Sequence, residues 1–329
     1  MSKKAVVLFL MSLFLVGGIL VGCGNQAEED NTEEPVVEDE GQVETDDEVR
    51  VVTNALGETE ITGTPERIVT LYQGATDTAV AMGVIPVGAV ESWLEQPVYN
   101  YLKDDLGDVQ IVGQETQPNL EEIAKLNPDL IIASRVRHEE IFEQLSEIAP
   151  TVADESLNNF KETTELLGQA LNQEDLANEL LSDWDNRVVD FQAKAEENVE
   201  DWPMHVSVLN FRADHARIYV GGFAGTILTE LGFNGPKNLE GTDEEILRLM
   251  DKESIPEMNA DVFYTFMEED ETVKNTFEEW TSHPLWQNLD AVQAEQTYIV
   301  DEIIWNLGGG IVAANLLLDD VYERLGLEK

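Results

Sequence analysis

Arginine side chains cluster at two places where predicted β-strands end. Arg135 and Arg137 follow the apolar run 130–134, and Arg212 and Arg217 flank a turn in the second half of the chain. The chain has only nine arginines, so four of them in two short segments of an acidic protein indicate a cationic pocket. A guanidinium group forms bidentate hydrogen bonds with carboxylate or hydroxamate oxygens, each worth roughly 1.5–3 kcal/mol when charge-assisted.

A second interpretation of these arginines stays open, namely that they pair with surface carboxylates. It applies most strongly to Arg217, and in part to Arg135. His138, directly after Arg137, could contact a ligand, cap the following helix or face solvent.

Aromatic and amide side chains accompany the arginines. Tyr72 and Gln73 end the first predicted strand, Trp93 follows the second, Tyr219 lies just after Arg217, and Trp305 follows the last strand. Planar side chains with a polar edge suit a large ligand that is partly apolar and partly rich in oxygen. Core packing is their alternative role.

Other kinds of site are disfavoured. The four histidines lie in separate segments, so direct ligation of a metal is not expected: His138, His205, His215 and His283. The run Gly308–Gly310 lacks the lysine and hydroxyl of a phosphate-binding loop, which favours close helix packing. The sequence contains neither a GxSxG nucleophile elbow nor a metal-ligand spacing, so it offers no support for an enzyme. The net charge of -48 excludes a broad nucleic-acid-binding surface.

The N-terminus predicts a bacterial lipoprotein signal. Lys3 and Lys4 precede an apolar stretch at 5–21, and Gly22 precedes Cys23, the single cysteine. We expect residues 1–22 to be removed and the thiol of Cys23 to be lipidated, anchoring the protein on the extracytoplasmic face of the cell membrane. The alternative is a free cysteine behind an ordinary secretory signal.

Residues 23–49 have the composition of a disordered acidic tether. They contain 12 acidic residues and no lysine or arginine. Without those 12 acids and the two signal lysines, 55 acids still face 17 bases, a net charge of -38. We interpret this acidity as adaptation to high salt or high pH, where a densely carboxylated surface stays hydrated.

Behind the tether, β-branched runs alternate with helical patterns, which predicts an α/β fold of two Rossmann-like lobes with mostly parallel sheets. An apolar stripe from Leu176 to Ala195 at helical spacing predicts one long helix that joins the lobes. The expected domains are an N-terminal lobe at 50–165, a bridging helix at 166–202 and a C-terminal lobe at 203–329.

This organisation resembles the substrate-binding lipoproteins of iron-siderophore ABC transporters. The resemblance covers about residues 51–327, and its individual motifs are weak but specific in their order. They include Pro65–Val69, Gly83–Gly88, Pro118–Ile123, Asn127–Ile131, Leu145–Val152, Gly225–Phe233 and Trp305–Leu316.

The resemblance implies a non-enzymatic, monomeric receptor that binds a ferric siderophore between its lobes and delivers it to an ABC permease. It further implies that Glu121 and Glu230 dock to permease arginines. The arginine segments look like those of the branch that handles hydroxamate or citrate-hydroxamate siderophores, while catecholates, haem and cobalamin stay open. A tethered extracellular enzyme and a sensor ectodomain are the alternatives from other classes.

Overall fold

A computed structural model describes residues 49–239 and 244–329. The signal segment 1–22, Cys23 and the tether up to residue 48 lie outside the described residues, and Val49 already belongs to the first strand. Among the helices of the described residues, none combines the length and apolar character needed to cross a membrane.

The first lobe contains a six-stranded sheet in the order β6-β5-β4-β3-β7-β8, in which β5, β4, β3, β7 and β8 are mutually parallel. A separate antiparallel hairpin, β1–β2, was not predicted from the sequence. The strands are β1 (Val49–Asn54), β2 (Gly57–Thr62), β3 (Ile68–Thr70), β4 (Gly88–Glu91), β5 (Gln110–Gln114), β6 (Gln117–Pro118), β7 (Leu130–Ser134) and β8 (Thr151–Asp154).

The second lobe contains a five-stranded sheet in the order β11-β10-β9-β12-β13. Strands β9, β12 and β13 are parallel, whereas β10 and β11 form an antiparallel extension. The strands are β9 (Val206–Phe211), β10 (Ala216–Tyr219), β11 (Ile246–Leu249), β12 (Val262–Met267) and β13 (Thr297–Ile299). The residue pattern within 243–250 by itself predicts a helix, but the structure has β11 at Ile246–Leu249, because pairing with β10 overrides the local pattern.

The helices cover the faces of the two sheets. They are α1 (Gln73–Ala81), α2 (Lys103–Leu106), α3 (Leu120–Lys125), α4 (Arg135–His138), α5 (Phe142–Ser146), α6 (Phe160–Leu171), α7 (Glu174–Asn198), α8 (Gly222–Glu230), α9 (Glu271–Thr281), α10 (Asp290–Gln293) and α11 (Ile311–Arg324). Short 3₁₀ helices occupy Glu139–Ile141, Lys252–Met258 and Trp286–Asn288, and a π-helical turn occupies Ile303–Leu307.

Helix α7 joins the lobes, as predicted. Its first turns pack on the core of the first lobe through Ala177, and Trp184, Val188 and Phe191 are buried in the core of the second lobe. The helix is shorter than the segment 166–202, because Asn172 adopts a left-handed conformation that ends α6 and separates it from α7.

The triple glycine lets the two lobes approach closely beside the cleft. A Cβ atom on Gly74 of α1 would lie 2.9 Å from the carbonyl oxygen of Gly309, and one on Gly310 would overlap the Asp77 carboxylate. Asp77 accepts hydrogen bonds from the backbone N–H groups of Val312 (2.8 Å) and Ala313 (3.0 Å), so a side chain of the first lobe caps α11 of the second. Close helix packing is therefore the role of this segment.

Candidate ligand-binding site

The parallel strands of the first lobe all end at one edge of the sheet, and the residues after them line a cavity of about 170 Å³. We call it the cleft cavity. This is the edge at which open α/β sheets bind ligands. Its lining from the first lobe includes Tyr72, Gln73, Gly74, Trp93, Glu115, Arg137, Leu157 and Asn158.

The second lobe closes the opposite wall of the cleft cavity. Asn306, Leu307 and Gly309 contribute that wall, and they belong to the π-helical turn and the glycine segment that precedes α11. A ligand in the cleft cavity therefore contacts both lobes, so its binding is coupled to their relative position.

Arg137 is the cationic group of the cleft cavity. Its Nε donates a hydrogen bond to Oε1 of Glu115 at 3.1 Å, and its side chain is 35 % exposed, whereas that of Glu115 is 4 % exposed. Burial raises the pKa of the Glu115 carboxyl, and the hydrogen bond from Arg137 opposes this shift. The guanidinium is thus held in place by a buried carboxylate but still faces the cavity.

Three other predicted residues lie on the wall of the cleft cavity. Tyr72 donates a hydrogen bond from its hydroxyl to Asp154 at 3.0 Å, and burial raises its pKa well above the usual value. Gln73 donates from Nε2 to the carbonyl of Glu91 at 3.1 Å. Trp93 is 43 % exposed, which is unusual for an indole and suits a ligand-contacting surface.

His138 lies behind the site rather than on its surface. It is fully buried: its Nδ1 accepts from the backbone N–H of Ser134 at 3.0 Å, and its Nε2 donates to the carbonyl of Glu115 at 2.9 Å. Burial lowers its pKa. Of the three roles considered for His138, the structure supports none: it ties the end of β7 to the segment that carries Glu115.

Arg135 is not among the residues that line the cleft cavity. Its Nη1 pairs with Glu155 at 3.0 Å and its Nε lies 4.0 Å from Glu139, both on the exposed surface. The surface-pairing interpretation therefore describes Arg135 in this conformation.

Arg212 and Arg217 line a different cavity, of about 620 Å³, at the carboxyl ends of β9 and β12. We call it the C-lobe cavity. Arg212 donates from Nε to Asn210 at 2.8 Å and pairs with Glu268, and its Nη2 lies 3.8 Å from Glu302. Burial raises the pKa of Glu302.

Two predicted aromatic residues belong to the hydrophobic core instead. Tyr219 is 8 % exposed and packs edge-on against Phe266. Trp305 is 1 % exposed, packs on Tyr264 and donates from Nε1 to Asp320 at 2.9 Å. Neither lines the cleft cavity, which corresponds to the core-packing alternative.

Sequence reasoning missed Glu115 and Arg248. Glu115 follows β5 just as Arg137 follows β7, but one acid among 67 carries no signal of its own. Arg248 lies in the segment expected to be helical, and only its pairing with β10 places it opposite Arg217.

The two proposed docking acids differ in their surroundings. Glu121 is exposed in the first turn of α3, whose N-cap Asn119 accepts from the Glu121 N–H at 3.1 Å. Glu230 accepts hydrogen bonds from Lys161 and, at 3.1 Å, from Nε1 of Trp184. Glu230 therefore has structural partners that compensate for its unfavourable position at the end of α8.

The acidic and histidine side chains do not form a metal centre in the part of the chain that the structure covers. Within residues 49–239 and 244–329, no three of these side chains converge in a way that could hold an ion. The cleft cavity is instead lined by Arg137, Gln73, Glu115 and the aromatic rings of Tyr72 and Trp93, and the C-lobe cavity by arginines and carboxylates.

The family model named periplasmic binding protein matches residues 68–303, which span both lobes and α7. The chain belongs to the periplasmic binding protein family. It is thus a substrate-binding protein and not an enzyme.

Individual relatives align with this chain along most of their own length. The crystal structure of Staphylococcus aureus SirA complexed with staphyloferrin B is 51% identical, with a TM-score of 0.82, and the match covers 85% of this chain and 99% of that one. The achromobactin-binding periplasmic protein of Dickeya dadantii is 44% identical over 80% of this chain and 87% of its own length. The "Probable siderophore-binding lipoprotein YfiY" of Bacillus subtilis is 43% identical over 83% and 86%.

Proposed function

We propose that this protein binds a ferric siderophore of the carboxylate type in the cleft between its lobes and presents it to an ABC permease. The observation that supports this most is the cleft cavity itself, in which Arg137 and the exposed indole of Trp93 face residues of the second lobe. An anionic chelate with apolar segments matches that wall, because the guanidinium recognises oxygen anions and the indole covers apolar surface.

The relatives narrow the ligand class. One is named for achromobactin and the structure of another contains staphyloferrin B, and neither supports the hydroxamate or citrate-hydroxamate class that the family resemblance implied. We therefore retain the carboxylate part of that expectation. The cleft cavity, at about 170 Å³, is smaller than the roughly 300–1,000 Å³ of typical ligand sites. A ferric chelate then enters fully only if the lobes separate.

We further propose membrane anchoring through Cys23 and docking to the permease through Glu121 and Glu230. The lipoprotein name of the Bacillus subtilis relative supports the anchor. The exposure of Glu121 suits a docking contact, whereas Glu230 would have to leave Lys161 to reach a partner.

The direct test is a titration of the purified domain that follows tryptophan fluorescence. We expect saturable, sub-micromolar quenching by ferric staphyloferrin B, a carboxylate-type siderophore, and at least tenfold weaker binding of the trihydroxamate ferrioxamine B. Trp93→Phe should remove most of the quenching without removing binding, as measured by calorimetry. Equal affinity for ferrioxamine B would contradict the ligand class, and no response to either chelate would contradict the receptor function.

A further inference from the structure

Arg217 on the wall of the C-lobe cavity has a second arginine, Arg248, beside it in an arrangement that packing alone does not favour. Arg217 of β10 and Arg248 of β11 lie directly opposite each other in the antiparallel pair. Like charges at directly opposite positions destabilise a sheet. Among residues 49–239 and 244–329, neither arginine has a carboxylate within ion-pair distance, although the chain has 67 acidic residues.

A single imidazole holds both arginines. The Nε groups of Arg217 and Arg248 donate to Nε2 of His215, at 3.0 Å and 3.1 Å. Since a guanidinium can only donate, Nε2 must carry a lone pair, and the proton of a neutral ring lies on Nδ1. That Nδ1 is 2.6 Å from Oδ1 of Asp214, which accepts the proton's hydrogen bond.

This arrangement leaves the outer ends of the arginines available. Each guanidinium uses its Nε on His215, and in the part of the chain that the structure covers its two terminal nitrogens have no hydrogen-bond acceptor. His215 is 4 % exposed, so the imidazole is a fixed support rather than a mobile surface group.

The acidic side chains that line the same cavity are otherwise engaged. Glu268 pairs with Arg212, and Asp270 caps α9 by accepting from the N–H groups of Thr272 and Val273. Of the three guanidinium groups in and beside the C-lobe cavity, Arg217 and Arg248 are therefore the two without a carboxylate partner among the described residues, whereas Arg212 has Glu268 and Glu302.

We propose that Arg217 and Arg248, oriented by neutral His215, form a subsite for a carboxylate group of the ligand. Two neighbouring guanidinium groups offer more donors than one carboxylate can use, so the subsite suits a citrate-like group with neighbouring carboxylates. This inference rests on the proposed function, and it assigns His215 as a positioning residue that does not itself contact the ligand.

The test compares Arg217→Gln and Arg248→Gln with Lys252→Gln, a control that removes one charge from an exposed pair with Glu279 in the same lobe. We expect each arginine variant to bind ferric staphyloferrin B roughly 10- to 100-fold more weakly. The control should bind like the wild type. Equal melting temperatures would show that the variants fold. Wild-type affinity in both arginine variants would overturn the subsite while leaving the proposed function intact.

His215 is tested by two substitutions. His215→Phe keeps a ring but removes the acceptor, whereas His215→Gln supplies an amide oxygen. If His215 positions the arginines, the Gln variant should bind the ferric chelate more tightly than the Phe variant. If His215 only fills space in the core, the Phe variant should bind more tightly than the Gln variant.

If the wild type binds no ferric chelate, the proposed function fails, and iron-free citrate then tests the subsite alone. Citrate should shift the Nε–H NMR signals of Arg217 and Arg248. Unchanged signals at millimolar citrate would overturn the subsite as well.

Discussion

Replacing Asp77 tests how the lobes are joined. This carboxylate is fully buried, caps α11 from the opposite lobe and accepts a hydrogen bond from the Tyr101 hydroxyl at 2.7 Å. Burial raises its pKa from the ordinary 3.8 to about 7, although its three donors oppose the shift.

The sign of the pH effect follows from where the proton binds. Between the two pKa values the folded protein keeps the Asp77 proton and the unfolded chain does not, so stability falls as pH rises through that window. A shift of one pKa unit corresponds to about 1.36 kcal/mol. Between pH 5 and pH 8, the part of the range that lies below the folded-state pKa of about 7 spans about 2 pH units. Wild-type stability should therefore decline by about 2.5 kcal/mol relative to Asp77→Asn over that range.

Urea unfolding of both proteins at several pH values measures this difference. Asp270→Asn is the matched control, because Asp270 caps α9 from an exposed position and its hydrogen bonds with Thr272 lower its pKa. The control should follow the wild type from pH 5 to pH 8. If the stability of Asp77→Asn showed the same pH dependence as that of the wild type, the three donors would outweigh the effect of burial on the Asp77 pKa. The reasoning about Asp77 would then be refuted.

Further predictions concern the cleft, its support, the docking face and the acidic surface. Glu115→Gln should bind an anionic ferric chelate about tenfold more tightly in calorimetry, because it removes the charge that competes for Arg137; weaker binding would mean that Glu115 chiefly orients the arginine. His138→Ala should lower the free energy of unfolding by about 2–4 kcal/mol, since it leaves two buried backbone groups unpaired. Burial lowers the pKa of His138, so its contribution should be lost as pH falls below about 6.5, and the variant should lack that part of the acid sensitivity. Charge reversal of Glu121 and Glu230 should abolish transport and leave chelate affinity intact, and an affinity loss would argue against docking. Thermal stability should rise from low to multimolar salt, and a flat dependence would contradict adaptation to salt.

The sequence predicts the architecture well because its signals are local. The stripe from Leu176 to Ala195 needs only helical spacing, and its positions from Trp184 onward are buried on α7. Likewise, residues after parallel strands must share one edge of the sheet, which places Tyr72, Trp93 and Arg137 together without knowledge of their contacts.

The details of the site depend on long-range contacts that local patterns do not encode. His138 follows Arg137 directly, yet its ring is turned into the core by partners at Ser134 and Glu115. Trp305 lies in what the sequence presents as a loop, but the π-helical turn buries it against Tyr264. Such orientations follow from the packing of segments that are distant in the chain.

The affinity of the wild type and of Arg137→Gln for ferric staphyloferrin B tests the central claim most directly. The account predicts one saturable site per wild-type molecule, with sub-micromolar affinity, and a loss of at least about tenfold in the variant at unchanged melting temperature. Absence of binding by the wild type, or equal affinity of the two proteins, would contradict it.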